Sequence, residues 1–287
     1  FPYTTLFRSG FIVNELARLG SNFRKNIDLE EYLIQHDIPG IQGIDTRNLT
    51  KIIRNIGCMN GMITTTKYEN LDEVMKRIHA FKVTGVVEQT TCKESYTIGT
   101  GDKRVALLDY GAKANIAKSL VKRGCQVTVY PASTPASVIL KEKYDGIMLS
   151  NGPGDPEENV QIIEEIKLLA SSQTPIFAIC LGHQLMALAH GFKTEKMKYG
   201  HHGANHPVKD LETGRVYIST QNHNFVIKED SIDSAVAKPW FINVNDKTIE
   251  GVTYLKENIK TVQFHPEACA GPLDTDALFE EFIKMME

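Results

Sequence analysis

Between residues 105 and 179 the sequence alternates short apolar runs with amphipathic stretches, and no other feature narrows the fold so far. The runs 105–108, 127–130, 146–149 and 176–179 have the length of strands and offer almost nothing polar on either face. A strand apolar on both faces must be covered on both faces, which is the condition of a parallel sheet between helices. Amphipathic helices are predicted near 114–122, 135–141 and 157–170, one after each of the first three runs. The βαβα order therefore predicts an α/β fold, a parallel sheet with helices on both faces. After Gly191 strands follow one another (216–220, 249–255, 261–264), and a last helix starts from Thr275.

A length of 287 residues suggests about two domains. Residues 10–90 read as a small α+β domain. Thr46 is expected to cap a helix with Leu49, Ile52, Ile53 and Ile56 on one face and Gly57 at its stop. Asn60-Gly61 marks a turn before a strand-like 62–66, and a second helix starts at Asn70 with Leu71, Val74, Met75 and Ile78 inward. The polar, aperiodic residues 91–103 are read as a linker, and 104–287 as the main domain. Residues 1–9, FPYTTLFRS, are what one reading frame of a common sequencing-adapter string encodes. They are expected to be a cloning or assembly remnant with the native N-terminus missing, and are set apart from the fold.

Composition excludes several classes. Lys and Arg number 32 against 35 Asp and Glu, a net charge of −3, so no basic nucleic-acid footprint is present. The longest apolar stretch, 175–181, falls well short of the ~20 residues of a membrane span. Five cysteines (Cys58, Cys92, Cys125, Cys180, Cys269) are an odd number without a C-x-x-C pair, which argues against a disulfide framework and a zinc ribbon and for a reducing cytoplasm.

In open α/β sheets ligands bind beyond the carboxyl ends of the strands. Four segments lie there: Asp109-Tyr-Gly111, Asn151-Gly-Pro-Gly-Asp-Pro156, Cys180-Leu-Gly-His-Gln184 and His265-Pro-Glu267. Cys180 stands where a strand turns sharply into a helix, with Ala178 and Gly182 as the small neighbours such a turn requires. A sulfur at a helix N-terminus meets a dipole that favours thiolate over thiol. A thiol attacking an amide needs a base that returns its proton to the leaving amine, and a carboxylate that holds the imidazole; His265 and Glu267 supply those groups. The glycines of 151–156 allow backbone N–H groups to approach a ligand, so this loop and the Leu181 amide offer an oxyanion hole, or else the loop is only a tight turn. His201, His202 and His206 lack an accompanying Asp or Cys cluster in sequence, and no metal site is expected. Cys269 has no turn or base of its own and reads as a passive neighbour of Glu267.

FAICLGHQ, SNGPGDP and VQFHPEA together resemble the class I, triad-type glutamine amidotransferases. Asp109-Tyr-Gly-Ala-Lys113, the GHHGANHP run from Gly200, Gln221-Asn-His-Asn-Phe225, and in the first domain Ser21-Asn-Phe-Arg and Asp45-Thr-Arg-Asn-Leu, resemble the small subunit of glutamine-hydrolysing carbamoyl-phosphate synthase. The resemblance implies a flavodoxin-like, mostly parallel sheet preceded by a partial N-terminal domain of which roughly the first half is absent. It makes Cys180 the nucleophile, His265 the general base and then acid, and Glu267 its orienting partner. It puts the oxyanion hole at the Gly152 and Leu181 amides and adds Gly154, Gln184, Asn222, Asn224 and Phe225 to a glutamine pocket. Asn224 stands where that family usually has Gly, and so does Ala178. The implied reaction is hydrolysis of L-glutamine through a cysteinyl thioester, with ammonia passed to a large ATP-dependent subunit that makes carbamoyl phosphate for arginine and pyrimidine synthesis. No cofactor is expected in this chain, ATP and magnesium belonging to the large subunit; neither nucleic acid nor membrane is an expected partner. The alternatives are the glutaminase of another synthase, of anthranilate or GMP type, and a catalytically silent docking module.

Overall fold

A computed structural model of the chain describes residues 10–23, 25–268 and 271–287. The adapter-like residues 1–9 and Cys269 lie outside the described residues. The chain divides into two compact units between Val83 and Thr84.

The first unit pairs two short parallel strands, β1 (Phe11–Ile12) and β2 (Gly40–Ile41), and carries helices α1 (Leu29–Gln35), α2 (Thr46–Ile56) and α3 (Leu71–Ala80). The side chain of Asp45, one residue before the predicted start, caps α2 by accepting from Asn48 N at 2.9 Å. Asn70, the predicted start of the second helix, is the N-cap of α3, its side chain accepting from Glu73 N. Residues 62–66 form no strand, since no neighbouring strand supplies the ladder they need. Of the predicted inward face of α2, Leu49 and Ile53 are half-buried, while Ile56 is 72% exposed. The unit is too small to cover its own apolar residues.

The second unit runs in the order α4 (Val86–Thr90), β3 (Tyr96–Ile98), β4 (Lys103–Asp109), α5 (Ala114–Lys122), β5 (Cys125–Pro131), α6 (Ala136–Lys141), β6 (Gly146–Leu149), α7 (Val160–Ala170), β7 (Ile176–Ile179) and α8 (Leu181–Ala189). Then follow β8 (Thr194–Asp210), β9 (Val216–Ile227), β10 (Ala237–Asn243), β11 (Ile249–Tyr254), β12 (Ile259–Val262) and α9 (Leu278–Met285). Among the described residues these strands form one ten-stranded sheet, in the order β3-β5-β4-β6-β7-β12-β11-β10-β8-β9. Its core, β5-β4-β6-β7-β12, is parallel, and antiparallel strands extend both edges.

Alternation within each apolar run explains the two layers. Ala106, Leu108, Ile147, Leu149, Ile176 and Ala178 face one core with Ile139, Ile166, Leu169 and Leu185 of α6, α7 and α8. Val105, Leu107, Met148, Phe177 and Ile179 face the other with Ile116, Leu120, Phe279 and Phe282 of α5 and α9. The segment 91–103, read as a linker, differs from that reading: it carries β3, which pairs antiparallel with β5, and belongs to the second unit. Polar composition concealed an edge strand, whose outer face need not be apolar.

Candidate active site

The ladder between β7 and β12 explains how distant residues meet. Ile179 pairs with Val262, and Cys180 N continues that ladder by donating to Val262 O at 2.8 Å. The chain therefore leaves β7 at Cys180 beside the end of β12, three residues before His265. At Cys180 it turns with φ 53° and ψ −104°, a left-handed conformation that an L side chain holds only at a cost of about 1–3 kcal/mol, and becomes the N-cap of α8. A Cβ on Gly182 would lie 2.7 Å from Leu149 O and 2.9 Å from Ser150 O, so only glycine allows the first turn of α8 this close to the end of β6. Cys180 is 4% exposed.

His265 and Glu267 are buried in the same place, each 2% exposed. His265 Nδ1–H donates to Glu267 Oε1 at 2.7 Å, and His265 N donates to Thr220 O of β9 at 2.9 Å. The other ring nitrogen, Nε2, is buried with no hydrogen-bond partner, and Cys180 is close enough to act electrostatically on the ring. Burial, the largest single influence, and the Lys113 charge push the imidazolium down, but the Glu267 charge and Cys180 together outweigh them, so His265 is held up at about 9. Burial likewise pushes the Glu267 carboxyl up, while His265 as charge and hydrogen-bond donor, and then Lys113, pull it down to about 2.

Lys113 is a residue to which sequence reading gave no role of its own. Its Nζ lies 3.2 Å from Glu267 Oε1, with its side chain 16% exposed. Asn115 Nδ2 donates to Glu267 O at 3.1 Å. Both follow the Asp109-Tyr-Gly turn, which Asp109 closes by accepting from Gly111 N, Ala112 N and Cys92 N. A lysine just past a strand end, inside a singled-out motif, was the available signal.

The glycine loop stands on the other side of Cys180. Asn151 ties it to the Asp109 turn, accepting from Lys113 N at 2.9 Å and donating to Gly111 O at 3.2 Å. A Cβ on Gly152 would strike Tyr110 O and come within 2.6 Å of Leu181 Cδ2, which places Gly152 against the start of α8. Gly154 has φ +97°, and a Cβ there would strike Val86. Among the described residues the Gly152 and Leu181 amides donate to no protein acceptor. Gln184 is buried, and its amide nitrogen donates to Phe225 O at 2.8 Å and Gln263 Oε1 at 2.9 Å, so it fastens α8 to β9. Phe225 and Asn222 are half-buried and Asn224 is exposed, with His202 bridging the two asparagine oxygens at 3.0 and 3.2 Å. Burial drives the neighbouring His223 imidazolium well below its ordinary range, with the charge of His201 adding to the effect. No helix among the described residues is long and apolar enough to cross a membrane.

Comparison with known proteins places this geometry in a class. The model of the glutamine amidotransferase class-I family matches residues 106–285, more than half of the chain. Two solved structures share the fold: one described as a GMP synthase subunit of Thermoplasma acidophilum (TM-score 0.56, 21% identity, 64% of this chain and 94% of that one), and a glutamine amidotransferase of Thermotoga maritima (TM-score 0.50, 15% identity, 65% and 97%). Ahead of that region, residues 4–63 match the carbamoyl-phosphate synthase small chain, CPSase domain. Over 279 residues the chain is 46% identical to the carbamoyl phosphate synthase small chain of Listeria monocytogenes, covering 96% of this chain and 76% of that protein. Over 288 residues it is 45% identical to the pyrimidine-specific small chain of Bacillus subtilis, covering 100% and 78%. The chain belongs to the carbamoyl phosphate synthase small chain family.

Proposed function

We propose that this chain is the glutaminase subunit of a carbamoyl phosphate synthase, with Cys180, His265 and Glu267 as its reacting and orienting groups. The observation that carries the reading is a strained, buried Cys180, set by the β7–β12 pairing beside the segment that leads to His265, and an imidazole that Glu267 holds at 2.7 Å. Cys180 Sγ, whose proton His265 has taken, attacks the side-chain amide carbon of glutamine, and the developing oxyanion meets the Gly152 and Leu181 amides. With a pKa of about 9, His265 carries at neutral pH the proton that the leaving amine takes as the C–N bond breaks. Ammonia departs and a thioester remains. Water then attacks the thioester carbon and gives a proton to His265, and cleavage of the C–S bond releases glutamate and restores the sulfur. Gly154, Gln184, Asn222, Asn224 and Phe225 are assigned to the glutamine pocket, Gln184 acting through its hold on Phe225.

The ammonia passes to a large ATP-dependent chain, which binds ATP and magnesium and makes carbamoyl phosphate in the cytoplasm. The GMP-type and anthranilate-type readings are not favoured, because the likeness to the GMP synthase structure is one of fold at 21% identity, whereas the small-chain relatives extend through the first unit at 45–46%. The test is labelling of the full chain with a glutamine-like alkylating agent, mapped by peptide mass, beside ammonia release from glutamine. Label on Cys180, and ammonia release lost in Cys180→Ser, support the reading. Ammonia release that survives Cys180→Ser overturns it, and failure to co-purify with a large synthase chain overturns the choice of partner.

A further inference from the structure

We propose that His201 Nδ1, His223 Nε2 and a carboxylate oxygen of Glu250 form a binding site for one divalent cation of the zinc class. One ligand atom from each of the three residues lies within 4.8 Å of the other two, and the residues are 6%, 5% and 0% exposed. Of the three histidines that cluster in the sequence only His201 belongs to the set; His206 packs its ring against His201 at 5.1 Å, and β9 and β11 bring the other two groups.

The argument rests on which ring nitrogens already carry hydrogen. Asp246 Oδ2 accepts from His201 Nε2 at 2.7 Å, and the Phe225 carbonyl accepts from His223 Nδ1 at 2.9 Å. Neither oxygen can donate, so in neutral rings the lone pairs are on His201 Nδ1 and His223 Nε2. An outer carboxylate or backbone carbonyl that orients the far nitrogen is the usual support of a metal-binding histidine.

Both lone pairs face acceptors. His201 Nδ1 lies 3.3 Å from Glu250 Oε1, outside hydrogen-bond geometry, a contact that a proton on the ring or a cation between the two atoms makes attractive. His223 Nε2 lies 2.8 Å from Gln221 Oε1, whose own amide nitrogen donates to Glu250 Oε2 at 2.9 Å. Turning the Gln221 amide over would relieve His223 but set its oxygen against the carboxylate. Either orientation leaves acceptors opposed, and a cation removes the conflict in both. Two imidazoles and a carboxylate suit zinc and its neighbours among the d-block ions better than magnesium or calcium, which take oxygen ligands. Gln221 Oε1 or water is available as a fourth ligand. Because the Phe225 carbonyl is shared by His223 and Gln184, such an ion stiffens the part of β9 behind the cysteine site and takes no part in bond breaking.

The test is equilibrium dialysis of the chelator-stripped full chain against Zn2+, with thermal melting and the visible spectrum of the Co2+ form. Expected are one equivalent per chain, a melting temperature raised by Zn2+, and Co2+ d–d bands without a thiolate charge-transfer band. His201→Gln and Glu250→Gln each lower the affinity by more than about tenfold, and Asp246→Asn, whose side chain is exposed and outside the ligand set, by about tenfold. Asp246→Asn keeps the test decisive where the buried variants fail to fold. No uptake by the wild type, unchanged affinity in Asp246→Asn, or loss of the ion in Cys180→Ser overturns the proposal.

Discussion

Glu267→Gln isolates the electrostatic device at the centre of the site. The substitution keeps shape and removes one buried negative charge that faces His265 at 2.7 Å and Lys113 at 3.2 Å. At an effective dielectric of ~20, a unit pair 2.7 Å apart is worth about 6 kcal/mol, or roughly four pH units on the imidazole. In the wild type that attraction, together with Cys180, overcomes burial and leaves His265 at about 9. In Glu267→Gln, burial and the Lys113 charge are opposed only by Cys180, and the loss of roughly four pH units takes His265 below its ordinary 6.5. The ring is then neutral at pH 7 and has no proton for the leaving amine, so glutamine hydrolysis falls by about 10²- to 10⁴-fold. Stability falls by about 3–5 kcal/mol, because the buried pairing with His265 is lost and the Lys113 ammonium keeps no carboxylate partner there. The assay is an NMR titration of the His265 ring in wild type and variant, with ammonia release measured in parallel. A His265 that still titrates near 9 in Glu267→Gln refutes the reasoning, whatever the activity does.

Three further outcomes are expected. Cys180→Gly should melt no lower than Cys180→Ala although it buries less, since glycine accepts φ 53° without the strain of about 1–3 kcal/mol; a clearly lower midpoint for the glycine variant contradicts the strained turn. Gly182→Ala forces a Cβ to 2.7 Å from Leu149 O and should cost about 1–3 kcal/mol in urea unfolding while slowing thiol labelling, and a variant identical to wild type in both would deny the close packing of α8 on β6. The pH profile has a definite sign. His265 is raised from 6.5 to about 9, so its contribution is complete below 6.5 and is lost as pH rises through about 9. Glu267 is lowered from 4.5 to about 2, so its contribution is complete above 4.5 and is lost as pH falls through about 2. The stability gap between wild type and His265→Gln should therefore be widest between about pH 4.5 and 6.5 and narrow on either side, as calorimetry across pH would show.

The residues near Cys180 show how far local patterning carries. An apolar run, a cysteine and a helix-forming stretch with Gly182 already imply a strand-to-helix turn, and the structure has it, down to the left-handed cysteine. The loop glycines were legible for the same reason, because a missing Cβ is a local fact. Lys113 was not, since its contact with Glu267 depends on two loops from opposite parts of the sequence. Strand β3 was missed because an edge strand needs no apolar periodicity, and β8 and β10 because their polar, histidine-rich or proline-bearing segments take their form from the strands beside them.

Sequence alone thus determined the alternating layers, the parallel core and the residue types capable of amide chemistry, because periodicity and turn requirements act over a few residues. Only the tertiary structure decided which of those residues share an environment. The β7–β12 pairing sets Cys180 beside the segment leading to His265, burial gives the Glu267 charge its strength, and the β8–β9–β11 arrangement turns His201, His223 and Glu250 toward one point. Proximity and dielectric surroundings belong to the packed sheet, and neither is written in the spacing along the chain.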